Sequence, residues 1–226
     1  MTDFPSKQTG NDSPTMLTMS TMTNQLLALR PDWPGIPIEL DRAWSHLEEL
    51  GLGTMSPTGY IIDPYPDSDA AGPCFSANLS LEGWFHEDSV AYTRVLPIAE
   101  AAGEGSLIAL WLDDEKNARV ILLESEGSGF LIANDASELL VLFSIGYEEL
   151  LSHNLGSSPI EPISPEALEP LRSWVESEFA MTIPDSWPAP GRDEFSAWLD
   201  RELGREEPTS EDVSDSSTET PMNEAP

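Results

Sequence analysis

The feature that most constrains this chain is the stretch from residue 95 to residue 132. Four apolar runs, at 95–99, 107–112, 120–123 and 130–132, are separated by short polar segments. The separators are Ala102-Gly103-Glu104-Gly105, Asp113-Asp114-Glu115-Lys116-Asn117 and Glu126-Gly127-Ser128-Gly129. They are rich in the residues that tolerate tight-turn backbone angles. Loops this short can join only antiparallel neighbours, because a parallel pair needs a crossover of about a dozen residues or more. The stretch therefore predicts an antiparallel meander. Pro97 has no N–H to give a neighbouring strand, so the run at 95–99 is expected at an edge of the sheet.

Helices flank the meander. Leu40, Ala43, Trp44, Leu47 and Leu50 recur at three- and four-residue spacing through 37–50, and Gly51 and Gly53 end that helix. Asn134 or Asp135 can cap a second helix with the core face Leu139, Leu142, Phe143 and Ile145, and Glu138 stands three residues after Asp135 as in a capping box. Ser164 and Pro165 open a third over 165–180, with the stripe Leu168, Leu171, Trp174 and Val175. A last amphipathic helix at 192–203 carries Phe195, Trp198 and Leu199. Short strands are expected at 59–62, around Trp84-Phe85 and around Val90-Ala91-Tyr92. The class is α+β, an antiparallel β-sheet meander packed against helices.

The 226 residues suffice for one substantial core with extensions. Residues 1–20 read as a disordered Ser/Thr/Met-rich lead, 21–160 as the α+β domain, 161–204 as a helical extension packed on it, and 205–226 as a disordered acidic tail.

Charge bounds the partners. The chain has 41 acidic and 10 basic residues, a net charge of -31. Such a field repels phosphate backbones and anionic bilayers, so neither nucleic acid nor membrane is expected as a partner. A basic protein would be steered in. The longest apolar run, 107–112, is far short of the roughly 20 residues of a spanning helix. The N-terminus has no apolar signal segment, and the one cysteine, Cys74, excludes an internal disulfide. A cytoplasmic monomer is expected.

No motif announces catalysis. A P-loop and a G-x-S-x-G elbow are missing from the sequence, and Gly51-Leu52-Gly53 and Gly103-Glu104-Gly105 each lack the third glycine of a dinucleotide site. His46, His86, His153 and Cys74 are too scattered to predict a zinc site. Asp67-Ser68-Asp69-Ala70-Ala71-Gly72 begins like a calcium loop, but Ala71 and Asn78 stand at the fifth and twelfth positions. Carboxylate pairs such as Asp113-Asp114 and Glu124/Glu126 are what chance supplies in so acidic a chain; acid–base chemistry would need them converging in a cleft. No catalytic residue, metal or cofactor is expected.

The run from 96 to 150 resembles the SMI1/KNR4 (SUKH) superfamily. The resemblance rests on Leu107-Ile108-Ala109-Leu110-Trp111-Leu112-Asp113-Asp114, on Val120-Ile121-Leu122-Leu123-Glu124-Ser125-Glu126-Gly127, on Leu131-Ile132-Ala133-Asn134-Asp135 and the helix after it, and on Ile145-Gly146-Tyr147-Glu148-Glu149-Leu150. It covers about a quarter of the chain closely. The family's Leu-Pro-x-x-Tyr/Phe segment and Asn-Gly turn are not evident, and the helices beyond 160 are additional. The resemblance implies an α+β fold and a partner-binding role. Many bacterial members are immunity proteins that neutralise polymorphic toxins, often nucleases, while other members are scaffold or regulatory modules. The expectation is an immunity protein that occludes the basic active surface of a toxin, with a non-toxin scaffold as the alternative. Partner-binding candidates are acidic loop residues and aromatic anchors: Asp63, Asp67, Asp69, Trp84, Phe85, Asp113, Asp114, Glu115 and Glu126. Trp111, inside an apolar strand, is expected in the core.

Overall fold

The structure, a computed structural model, describes residues 19–66 and 72–205. The meander extends beyond the stretch that predicts it. Seven strands, β1 (Gly53–Ser56), β2 (Gly59–Ile62), β3 (Cys74–Ser76), β4 (Val95–Glu100), β5 (Leu107–Leu112), β6 (Ala118–Leu123) and β7 (Gly129–Ala133), form one antiparallel sheet whose spatial order is its chain order. Six helices accompany it: α1 (Thr21–Leu29), α2 (Ile38–Glu49), α3 (Val90–Arg94), α4 (Ala136–Phe143), α5 (Pro165–Phe179) and α6 (Glu194–Glu202). The α+β class and the antiparallel sheet backed by helices are as expected.

Side chains alternate across a strand, and β5 is buried along its whole length, so the sheet is covered on both faces. Ile108, Leu110 and Leu112 join the larger core with Leu40, Trp44 and Leu47 of α2, Leu139 and Phe143 of α4, and Leu171 and Val175 of α5. Leu107, Ala109 and Trp111 face the other way, into a smaller core with Phe195, Trp198 and Leu199 of α6 and with Leu81, Phe85 and Ala91. Helices α5 and α6 thus each complete one face of the sheet.

Three expectations are corrected. First, β4 is not an edge strand: it lies between β3 and β5. Pro97 is tolerated because β3 is only three residues long and pairs Cys74 with Glu100 and Phe75 with Ala99, leaving Pro97 beyond its end. A bulge between Pro97 and Ala99 adjusts the register on the β5 side. The Arg30 guanidinium reaches this gap and donates from Nη1 to the Val95 carbonyl at 2.9 Å and from Nη2 to the Tyr92 carbonyl at 3.0 Å.

Second, the Trp84-Phe85 segment is a turn, with the Trp84 and Phe85 N–H groups donating to the Leu81 carbonyl. Third, residues 90–94 are helical, not extended. Ser89 Oγ accepts the Tyr92 N–H at 3.1 Å, and this local cap outcompetes an apolar pair too short to hold a ladder place.

Helix α1 was not evident from sequence spacing. Ser20 caps it and is almost fully buried, although it falls in the expected lead. Its N-terminus is held by α2: Asp41 Oδ1 accepts from the Ser20 N–H and hydroxyl, and the two oxygens of Glu48 accept from the Thr21 and Met22 N–H groups, each at 2.9 Å.

The outer edge of β7 is covered by side chains instead of a strand. Asp193 Oδ2 accepts from the Leu131 N–H at 2.7 Å, Ser196 Oγ donates to the Gly129 carbonyl at 2.8 Å, and the Trp187 indole donates to the Ile132 carbonyl at 2.7 Å. Ile132 sits where the β6–β7 register slips, so its carbonyl has no regular ladder place.

Candidate functional site

The β5–β6 turn is built around Asp113. Its Oδ1 accepts from the Glu115 N–H at 2.9 Å and the Asn117 N–H at 2.8 Å, and its Oδ2 accepts from Asn117 Nδ2 at 3.1 Å. Arg119 Nη1 lies 3.7 Å from the same oxygen. Burial pushes the Asp113 carboxyl up, but the Asn117 and Glu115 donors and the Arg119 charge outweigh it and hold the group below its ordinary value. Asp113 is therefore the organiser of its turn. It is buried, and both its oxygens are engaged within the turn.

The two residues after it project outward. Asp114 is exposed and pairs through Oδ1 with Arg94 Nη1 at 3.0 Å. Glu115 is exposed, with one weak contact from Asn117 Nδ2 at 3.4 Å. Arg94, at the end of α3, also donates from Nε to the Leu112 carbonyl at 2.8 Å. Its guanidinium carbon lies 5.5 Å from the Trp111 ring centroid and 5.2 Å from that of Trp198, within cation–π range.

Trp198 of α6 is the link to the other aromatic segment. Its ring lies 5.5 Å from Trp111 and 5.7 Å from Phe85. Phe85 is buried in the smaller core, which corrects its expected role as an exposed anchor. Trp84 is half-buried against the same core and lines a surface depression of about 640 Å³ with exposed Glu82, Glu87 and Asp88. Trp111 is in the core, as expected.

The candidates thus divide between the two ends of the sheet. Trp84, Phe85, Asp113, Asp114 and Glu115 gather at the end where β5 leads into β6, around Trp198. Asp63 and Glu126 are exposed but stand at the opposite end, because Asp63 follows Ile62, paired with Phe75, and Glu126 is in the turn that follows Leu123. A six-residue strand separates the ends by roughly 17 Å. Asp67 and Asp69, with most of the calcium-loop-like fragment, lie outside the described residues.

The first end also carries arginines that did not stand out in the sequence. A groove of about 520 Å³ runs between the β5–β6 turn and α6. From α6 it is lined by Glu194, Ala197, Trp198 and Arg201, one helix face at spacings of three, four and seven. From the sheet it is lined by Trp111, Arg119 and the turn carboxylates. Arg119 donates from Nη2 to Asn134 Oδ1 at 2.9 Å and lies 3.4 Å from Glu194. The signal in the sequence was the scarcity of basic residues, ten in all, of which Arg94, Lys116, Arg119, Arg192, Arg201 and Arg205 fall on or beside this turn and α6.

Among the described residues, no group of three or more His, Cys, Asp or Glu side chains is placed to hold a metal ion, and no helix is long and apolar enough to cross a membrane. Comparison with protein-family models, curated proteins and solved structures finds no match to this chain.

Proposed function

We propose that this is a cytoplasmic, non-catalytic protein that binds a basic protein partner through the end of the sheet formed by the 82–88 turn and the β5–β6 turn. The observation that carries this reading is the convergence of two segments distant in sequence on Trp198, with Phe85 at 5.7 Å and Trp111 at 5.5 Å. Exposed Glu82, Glu87 and Asp88 line one depression with the half-buried Trp84, and exposed Asp114 and Glu115 line another with Trp198. An aromatic that is largely fixed before binding loses little entropy on docking, and surrounding charges accelerate encounter. The acid excess of the chain attracts a basic surface from a distance.

Within that reading, the resemblance to the SMI1/KNR4 superfamily favours an immunity protein. The partner is then a toxin, and a nuclease fits best because it must present a basic surface to hold its own substrate.

The test is capture of tagged full-length protein from its native cell, followed by mass spectrometry and co-expression with the captured partner. The expected result is a basic, growth-arresting protein whose toxicity is relieved by the wild type and not by the charge-reversed double variant Asp114→Arg/Glu115→Arg. A partner that is harmless alone would replace the immunity reading with the scaffold one. A partner retained undiminished by the double variant would overturn the assigned surface.

A further inference from the structure

The groove between the β5–β6 turn and α6 differs in charge from the rest of the molecule. Over the chain, basic residues are outnumbered by 41 to 10. Here Arg94, Arg119 and Arg201 stand against Asp113, Asp114, Glu115 and Glu194, close to balance. The carboxylates are largely spoken for. Asp113 is saturated by its own turn, Asp114 is tied to Arg94, and Glu194 is paired with Arg119.

Not every donor is spoken for. Five buried side-chain polar atoms lack a hydrogen-bond partner among the described residues, and three of them belong to this cluster: Arg94 Nη2, Arg119 Nε and Trp111 Nε1. Trp111 is 3% exposed and still lines the groove. A buried donor without an acceptor costs about 1–3 kcal/mol, and three of the five such atoms belong to residues around this groove. Arg201 adds an exposed guanidinium that has no ion pair or side-chain hydrogen bond among the described residues.

We infer that this groove is a carboxylate site: it receives an acidic side chain or the C-terminal carboxylate of the protein partner, seated on Arg201 and drawing on the unpartnered donors of Arg119 and Trp111. A guanidinium offers paired N–H groups in the fork that matches a carboxylate. The Arg119 side chain is about one-quarter exposed, at 23%. The site rests on the binding role proposed above and adds to it. The acidic rim draws in a basic surface, and one acidic group of that surface is keyed into the groove, fixing the register that rim charges alone would leave loose.

The experiment uses sodium acetate as the probe on the full chain, with sodium chloride matched in ionic strength as the reference. The Trp111 indole N–H and the Arg119 Nε–H are followed in proton–nitrogen correlation spectra. Acetate is expected to shift both resonances saturably while chloride does not, and the shift is expected to vanish in Arg201→Ala, an exposed position whose replacement leaves the other resonances in place. The inference is overturned if acetate and chloride act alike, or if Arg201→Ala responds as the wild type does. It is also overturned if the chain cut after Arg205 has a displaced Trp111 resonance before any acetate is added, since residues 206–226 would then be the occupant. Loss of the acetate effect leaves partner capture untouched, and failure to capture a basic partner leaves the acetate effect untouched, so the two readings fail separately.

Discussion

The Trp187 indole donates its N–H to the carbonyl of Ile132, the residue at the slip of the β6–β7 ladder, at 2.7 Å. A side chain thereby supplies what a neighbouring strand cannot. Trp187→Phe keeps an aromatic ring and removes the donor, leaving a buried carbonyl without its partner. The expected loss is about 1–3 kcal/mol, read as a lower urea midpoint with unchanged slope. Trp187→Ala removes the cover as well, and is expected to show concentration-dependent self-association in sedimentation velocity, because an uncovered edge pairs with its copies.

Asp113 gives the protein an acid limb. Its folded value lies below its ordinary one, so the stability it contributes is complete above the unfolded value of about 3.9 and drains away as pH falls through the folded value. Asp113→Ala is expected to cost roughly 2–3 kcal/mol at pH 7, the scale of hydrogen bonds to a charged group. The difference from wild type is expected to shrink below about pH 4. Urea midpoints measured from pH 7 to pH 2 check both the size and the direction.

Cys74 is expected to be a poor nucleophile. Burial, then the charges of Asp63 and Glu100, push its thiol up to about 12, and its Sγ lies 3.4 Å from the Ile62 carbonyl. At pH 8 the thiolate fraction is then about 10⁻⁴, against roughly a quarter for a free cysteine. An aromatic disulfide reagent should react at least about 100-fold more slowly with the folded protein than with the urea-unfolded one. Comparable rates would show that the thiol is not held as described.

Glu48 anchors α1 to α2 by accepting from the Thr21 and Met22 N–H groups. Glu48→Ala removes both acceptors and a negative charge at a helix N-terminus, at a cost of about 1–2 kcal/mol. Hydrogen exchange should quicken at Thr21 and Met22 and spread through α1, while amides of β5 and β6 keep their protection. Uniform quickening across the sheet would mean that α1 is an integral part of the folding unit.

How far the sequence was readable depended on whether the controlling contact was local. The four strands β4 to β7 were legible because their turns carry their own chemistry, and α4 and α5 because Asp135 and Ser164 cap within three residues. Helix α1 was not, since the carboxylates that satisfy its first turn come from Asp41 and Glu48, more than twenty residues away. Pro97 misled because a proline excludes a ladder bond only where a neighbour strand is present, and β3 stops short of it. Among the candidate residues, Asp114 and Glu115 are exposed in the turn whose composition singled them out. The pairing of Arg94 with Trp198 was not legible because it joins α3 to α6 across a hundred residues. Asp113 and Phe85 are buried, which polarity and aromaticity do not reveal because they do not say which side of a turn faces inward.

The agreement between strand order in space and strand order in the chain has a consequence for biosynthesis. Each strand after the first emerges from the ribosome to meet a partner that has already been made, so the meander can grow in chain order, its longest closure being the connection through α3 between β3 and β4. Strand β7 is the exception in timing. It is complete at Ala133, but the residues that shield its outer edge, Trp187, Asp193 and Ser196, are translated some fifty to sixty residues later. At about 5–20 residues per second this leaves roughly 3–12 seconds in which that edge is uncovered.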